Sequence, residues 1–245
     1  AGAGDARLRE VATSLVQHLH AFARDVKLSE AEWAEGVRFL AECGRPDVAL
    51  LSDTLGLTAL VTAANQRRPK GCTEATAVAS PPLANGVPYR DMAESEACYV
   101  RGLVRALDGT PIAGAEVRVN HAEPLPTSAD GCFVVKATVA APQPVAHVGP
   151  VSRLLAALGR HPWRPAHLHF TITARGCEPL VTQVFRQGDP YLDADAVFGV
   201  RSSLVADWVR HEPGRTPDGQ TSSAPFTILD FVFVLNNDIT GNTTP

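Results

Sequence analysis

The chain has 245 residues, a formal net charge of −4 and 45% hydrophobic residues, values that are ordinary for a soluble globular protein of one large domain, or of a domain with a helical appendage. Its basic residues are scattered along an acidic chain, which argues against a nucleic-acid partner. No apolar run approaches the roughly 18 residues of a membrane span, so none is expected.

The cysteines and the first residues bear on the compartment. Five cysteines are widely spaced and form no C-x-x-C pair, which indicates reduced thiols that serve mostly in packing. The opening AGAGDARLRE has no signal-peptide core. We therefore expect a cytoplasmic protein.

Helices are predicted in the first quarter of the chain. Apolar residues recur at helical spacing over residues 6–26. A second helix opens at Ser29, where Glu32 completes a capping box, and runs to Gly44. A third spans about Asp47–Asn65. Because helices one and three present more apolar surface than a helical hairpin can cover, we expect a homodimer through these helices.

From Cys98 onward the pattern changes to short alternating strands separated by turns. The predicted strands are Cys98–Ala106, Ala115–Asn120, Cys132–Thr138, His167–Thr173, Leu180–Phe185 and Phe226–Leu235, with a short helix at Val151–Leu158. Many short strands behind a helical start indicate a mainly β fold, a β-sandwich with an α-helical N-terminal region. The predicted division is a helical dimerisation region (1–66), a linker (67–97) and a β-sandwich domain (98–245).

One of these strands carries two histidines. His167 and His169 point to one face of the strand, while Leu168 and Phe170 point to the other. Two imidazoles so placed can both reach one metal ion or one substrate, and Arg164 adds a permanent charge just before them. A half-buried strand can also carry two histidines with no such role.

The surrounding sequence resembles the intradiol ring-cleavage dioxygenases, with the hydroxyquinol 1,2-dioxygenase branch nearest. The resemblance is carried by GRHPWRPAHLHF (Gly159–Phe170), PLVTQVF (Pro179–Phe185) and GDPYLDADAVFGV (Gly188–Val200). It extends back through RLREVATSLVQHLHAFARDV and RRPKGCTEAT, and so covers most of the chain. It implies a β-sandwich fold and a dimer contact made by the N-terminal helices.

The resemblance also implies site roles. In the family two histidines ligate a non-haem iron, and an arginine and a glutamine line the catecholate pocket. The matching residues here are His167 and His169 for the iron, and Arg164 and Gln183 for the pocket.

The chain departs from the family at the two positions where the family has tyrosinate ligands of iron. Gln143 stands where one tyrosine is expected, and the segment after Glu123 that would carry the other is shortened. None of the three tyrosines, Tyr89, Tyr99 and Tyr191, stands at a matching position. A glutamine carries no charge and cannot serve as the base that the family mechanism needs, so we expect ring cleavage by that mechanism to be lost.

These departures lead us to expect a repurposed pocket with no metal or cofactor. The predicted reaction is a non-oxidative step, such as cyclisation, rearrangement or proton transfer, on a phenolic or polyketide-like metabolite of secondary metabolism. His167 and His169 act as general acid and base, Arg164 holds an anionic oxygen, and Gln183 orients carbonyl or hydroxyl groups. The predicted substrate-binding residues are Gln143, His147, His121 and Glu123.

Two alternatives stay open. One is an iron-dependent oxygenase of a catechol, hydroxyquinol or larger aromatic compound, with substituted ligands. Its metal would be held by His167 and His169, completed by Glu123 or His121, because two histidines and a carboxylate form a facial triad. The other is a non-catalytic binding paralogue.

Overall fold

The chain divides between Arg45 and Pro46 into a small helical unit and a larger unit of helices and sheets. The computed structural model describes residues 6–65, 68–76, 96–120, 122–145 and 148–237. Within these residues the α-helices are Ala6–Asp25 (α1), Glu30–Glu42 (α2), Arg45–Thr54 (α3), Leu57–Asn65 (α4) and Pro150–Ala157 (α5). The division predicted at residues 66 and 97 stays a prediction.

The helical unit follows its sequence pattern closely. Helix α1 forms over the predicted range, and none of its residues is buried within the chain. Its apolar positions Leu8, Leu15 and Phe22 are more than half exposed. Ser29 caps α2 as predicted, because the Glu32 backbone N–H donates to its hydroxyl while its own N–H donates to the Glu32 carboxylate at 2.9 Å.

The prediction of one helix over Asp47–Asn65 is wrong, because α3 and α4 are separate and meet at a bend of 71°. Gly56 lies at the break with a positive φ of 77°, a left-handed conformation that ends a right-handed helix. Of the described helices, none alone is long and apolar enough to cross a membrane, and only the bent pair α3 and α4 meets that test jointly.

The strands of the larger unit form two main sheets. In chain order they are Ala97–Ala106 (β1), Glu116–Val119 (β2), Leu125–Pro126 (β3), Cys132–Thr138 (β4), Gln143–Pro144 (β5), Trp163–Arg164 (β6), His167–Thr173 (β7), Leu180–Arg186 (β8), Val205–Ala206 (β9), Trp208–His211 (β10), Gly214–Arg215 (β11), Thr221–Ser222 (β12) and Phe226–Leu235 (β13). One sheet has the order β10-β13-β1-β4, and the other has the order β3-β2-β7-β8-β9.

A continuous apolar core joins the two sheets. The buried cluster takes Val100 and Phe233 from the first sheet and Leu168 and Phe170 from the second. The rings of Phe170 and Phe233 meet with centroids 4.8 Å apart. The fold is therefore a β-sandwich with a helical N-terminal region, and that prediction is confirmed.

Most predicted strands form within a residue or two of their expected bounds, but the sequence pattern missed Trp208–His211. This strand pairs antiparallel with β13 at the edge of its sheet, where only Trp208 is buried. A strand with one buried residue gives little alternation to detect.

Candidate active site

Strand β7 brings two imidazoles to one point. His167 and His169 are half-buried on the same face of the strand, and their Nε2 atoms lie 3.2 Å apart. Leu168 and Phe170, which alternate with them, are fully buried in the core and hold the strand in register. Strand geometry and core packing together fix the direction of both rings.

The tautomer of His167 is set by its other ring nitrogen. Nδ1 lies 2.7 Å from the carbonyl oxygen of Pro165, to which it donates, so Nε2 keeps a free lone pair. Burial lowers the pKa of His167 well below 6.5, and the charges of Arg164 and His169 lower it further. His167 is therefore neutral at pH 7, the form that binds metal ions.

Asn120 holds His169 from the neighbouring strand. The Asn120 side-chain oxygen accepts from the His169 backbone N–H at 3.0 Å, and the Asn120 N–H donates to the His169 carbonyl at 2.8 Å. Asn120 has a φ of 52°, a left-handed conformation that asparagine tolerates better than most residues. The backbone of His169 is thereby tied to the end of β2.

Arg164 is buried beside the histidines. Its Nη1 lies 3.5 Å from His167 Nε2, and its Nη2 donates to Gln183 Oε1 at 3.0 Å. Gln183 lies opposite His169 in the β7–β8 register, and its amide nitrogen lies 3.2 Å from His169 Nδ1. Asp195 forms an ion pair with the guanidinium, with Nε 3.0 Å from Oδ1. The site therefore combines the neutral imidazole of His167, the His169 ring and a charge-paired arginine.

The structure brings together all four residues of the predicted catalytic set: Arg164, His167, His169 and Gln183. Two residues of the predicted substrate-binding set, Gln143 and Glu123, are exposed, unlike the four catalytic candidates. The backbone of Gln143 pairs with that of Arg164 between β5 and β6. Glu123 lies between β2 and β3. The remaining two, His121 and His147, lie outside the described residues.

Several supporting residues escaped the sequence prediction. Asp195 accepts from the Arg164 side chain, and the Gly199 backbone N–H donates to Asp195. Asp189 accepts from the Ala166 backbone N–H at 3.0 Å. Asp189 and Asp195 both stand in the GDPYLDADAVFGV run, where carboxylates inside an apolar stretch are a signal for buried pairing.

The two histidines fit a shared metal ion. Their Nε2 atoms, 3.2 Å apart, are close enough for both to be ligands of one ion. In the part of the chain that the structure describes, no group of three or more His, Cys, Asp or Glu side chains could hold a metal ion. Tyr99 instead packs on Phe226 and Tyr191 stacks on Trp163. The described residues thus offer two imidazoles to a metal ion.

Comparison with known proteins matches both parts of the chain to dioxygenases. A family model described as catechol dioxygenase N terminus matches residues 5–73, and one described as dioxygenase matches residues 118–236. A 6-chlorohydroxyquinol 1,2-dioxygenase of Cupriavidus pinatubonensis is 44% identical and is matched over 95% of this chain and 91% of that protein. A hydroxyquinol 1,2-dioxygenase of Nocardioides simplex is 38% identical, matched over 94% of this chain and 89% of that protein.

The fold agrees with a solved relative. The crystal structure of a hydroxyquinol 1,2-dioxygenase from Pseudomonas putida DLL-E4 matches with a TM-score of 0.86 and 35% identity, over 96% of this chain and 94% of that one. The alignment with the Cupriavidus protein spans 263 positions against 245 residues here, so the relative has stretches with no counterpart in this chain. That difference is compatible with a shortened segment after Glu123; its position and the loss of both tyrosine ligands stay predictions.

The prediction of a non-oxidative enzyme is wrong. Relatives as similar as 44% over nearly the whole chain are named ring-cleaving 1,2-dioxygenases, which favours the iron-dependent alternative. Cyclisation, a polyketide-like substrate, a role in secondary metabolism, a degenerate site and the absence of a metal are likewise unsupported. That prediction rested on the expected loss of both tyrosine ligands, which stays a prediction, whereas the histidine pair expected of an iron site is present. With family models over both parts of the chain and 44% identity to a relative, the chain belongs to the intradiol ring-cleavage dioxygenases, close to the hydroxyquinol 1,2-dioxygenases.

Proposed function

We propose that this protein is an iron-dependent dioxygenase that cleaves the ring of a hydroxyquinol-type catechol between its two adjacent hydroxylated carbons. The observation that carries this proposal is the convergence of two imidazole Nε2 atoms at 3.2 Å beside a buried arginine, in a chain of this family. The substrate class comes from the relatives, which are named for hydroxyquinol, chlorohydroxyquinol and chlorocatechol.

His167 and His169 are the residues that would hold the iron. Iron bound there supplies coordination of the catechol oxygens and a redox partner for dioxygen. The neutral state of His167 supports this role, because its lone pair needs no proton to be removed at neutral pH. The hydrogen bonds to Pro165 and Asn120 hold the two ligands in place before the metal arrives.

Arg164 is the group that would meet the substrate. Its Nη1 lies on the side of His167 Nε2, so it can donate to a phenolate oxygen bound next to the histidines. Gln183 is 1% exposed, and its amide already contacts Arg164 and His169. We therefore assign Gln183 to orienting those two residues rather than to substrate contact.

We further propose that the protein is a homodimer through its N-terminal helices. The support is the row of exposed apolar residues along α1, which is larger than isolated surface residues explain. The five cysteines, all in the described part of the chain, form no disulfide bond, which supports the prediction of a reducing, cytoplasmic compartment.

The test of the ring-cleavage proposal is oxygen uptake by the purified protein after metal exchange. The protein is stripped with a chelator, then reloaded with iron or, as the control, with zinc, which has no redox chemistry. We expect the iron form alone to consume oxygen with hydroxyquinol or catechol, and not with resorcinol, whose hydroxyls are not adjacent. Iron-loaded protein that leaves both catechols unchanged would overturn the proposal.

A further inference from the structure

We propose that Asp195, together with Gly199, positions Arg164 so that only the Nη1 edge of its guanidinium faces the two-histidine site. This inference rests on the proposed function, because it assigns Arg164 to the substrate. Asp195 lies 31 residues after Arg164 and does not contact the two histidines through any hydrogen bond in the described structure.

Asp195 is itself held firmly. Its two oxygens accept from Arg164 Nε at 3.0 Å and Nη2 at 3.2 Å, a fork-to-fork arrangement that fixes the plane of the guanidinium. The backbone N–H groups of Val197 and Gly199 donate to the same carboxylate at 3.3 and 2.9 Å. The side chains of Asp195 and Arg164 are only 1% and 7% exposed, so solvent does not loosen the pair.

These contacts determine which hydrogen-bond donors of Arg164 remain for the site. Nη2 divides its hydrogens between Asp195 and Gln183 Oε1, and Nε is bonded to Asp195. Only Nη1 keeps its hydrogens directed toward His167 Nε2, at 3.5 Å. Because the carboxylate neutralises the buried cation, the arginine offers the site a directed pair of donors rather than an unpaired charge.

Gly199 makes room for this arrangement. A Cβ at this position would lie 2.7 Å from Arg164 Nη2 and 3.1 Å from Asp195 Oδ2. The first distance is shorter than any ordinary contact, so an alanine there must displace the guanidinium. A small displacement matters, because catalysis depends on the placement of reacting groups to within about 1 Å.

The first experiment combines Asp195→Asn with Arg164→Ala. Asparagine keeps the size of the side chain and loses one charged acceptor. We expect Asp195→Asn alone to lower kcat/KM about 10- to 100-fold, the effect of losing a hydrogen bond between charged groups. In the Arg164→Ala background the same change should lower it no further, because Asp195 acts only through Arg164.

A readout at equilibrium accompanies the kinetics. Anaerobic binding of 4-nitrocatechol to the iron-loaded protein, followed by its absorbance, should weaken in Asp195→Asn while the iron content stays that of the wild type. Glu96→Gln is the matched control, because it breaks an ion pair with Arg210 on the other sheet. That variant should lose stability without any change in 4-nitrocatechol affinity.

The second experiment uses Gly199→Ala, which leaves every hydrogen-bonding group in place. It should reproduce the kinetic loss of Asp195→Asn, whereas Gly214→Ala should not, because its Cβ would meet no atom closer than 3.8 Å. Equal losses from Asp195→Asn with and without Arg164 would overturn the positioning role, as would a fully active Gly199→Ala. Wild-type protein that neither cleaves a catechol nor binds 4-nitrocatechol would overturn the proposed function, and this role with it.

Discussion

The Nε2 atoms of His167 and His169 face each other at 3.2 Å. Two bare lone pairs repel each other at that distance, so the contact needs either a hydrogen on one Nε2 or a metal ion that both rings ligate. Because His167 Nδ1 donates to the Pro165 carbonyl, His167 Nε2 is an acceptor, and the N–H of this contact then belongs to His169. A metal ion held here would need the lone pairs of both Nε2 atoms.

Replacing either histidine should therefore remove the metal. We expect His167→Ala and His169→Ala each to lose iron during gel filtration, because one remaining imidazole is a weak site. Iron per chain is measured by elemental analysis after reloading. His18→Ala is the control, since His18 is exposed on α1, and it should retain the iron content of the wild type. Unchanged iron in both site variants would exclude this pair as ligands.

The metal-free protein should lose stability in mild acid because of His167. Its pKa is lowered in the folded state from 6.5, so below pH 6.5 the unfolded chain binds a proton that the folded chain does not. The free energy of unfolding should then fall by about 1.4 kcal/mol between pH 7.5 and 5.5 on account of this group alone. Above pH 7.5 the group makes no difference.

Urea unfolding of wild type and His167→Asn at these two pH values measures that contribution. The difference between the two proteins should shrink by the stated amount as the pH falls, since asparagine does not titrate. A His167→Asn curve that parallels the wild type would show that His167 takes up a proton in the folded state.

Asn120 should stabilise the site through both its side chain and its backbone. Asn120→Gly removes the bond to the His169 N–H and is expected to cost about 0.5–1.5 kcal/mol. Asn120→Ala should cost about 1–2 kcal/mol more, because alanine resists the left-handed conformation at φ 52°. Urea unfolding of the two variants separates the terms, and equal costs would mean that the backbone relaxes at this position.

The dimer prediction can be tested on α1. Leu15→Glu places a charge in the exposed apolar row and should convert a dimer into a monomer at micromolar concentration. Gln17→Glu, two residues along and on another side of the helix, should leave the mass unchanged. Light scattering measures both, and a monomeric wild type would contradict the prediction outright.

Local patterns predicted much of this structure, and contacts between distant residues explain what they missed. Alternation along His167–Thr173 is a property of the strand itself, so it was readable, and it led directly to the histidine pair. Gly56 was missed as a break because a single glycine inside a helical pattern is often tolerated. Asp195 and Asn120 were missed because their partners lie 31 and 49 residues away.

The central claim, iron-dependent cleavage between adjacent hydroxylated carbons, is tested most directly with labelled oxygen. Iron-loaded protein is given hydroxyquinol under ¹⁸O₂, and the mass of the ring-opened product is measured by mass spectrometry. Insertion of dioxygen into the ring should consume one O₂ molecule per ring opened. The product should be a dicarboxylic acid that carries label from ¹⁸O₂. An iron-loaded protein that opens no ring, or a product without the label, would contradict it.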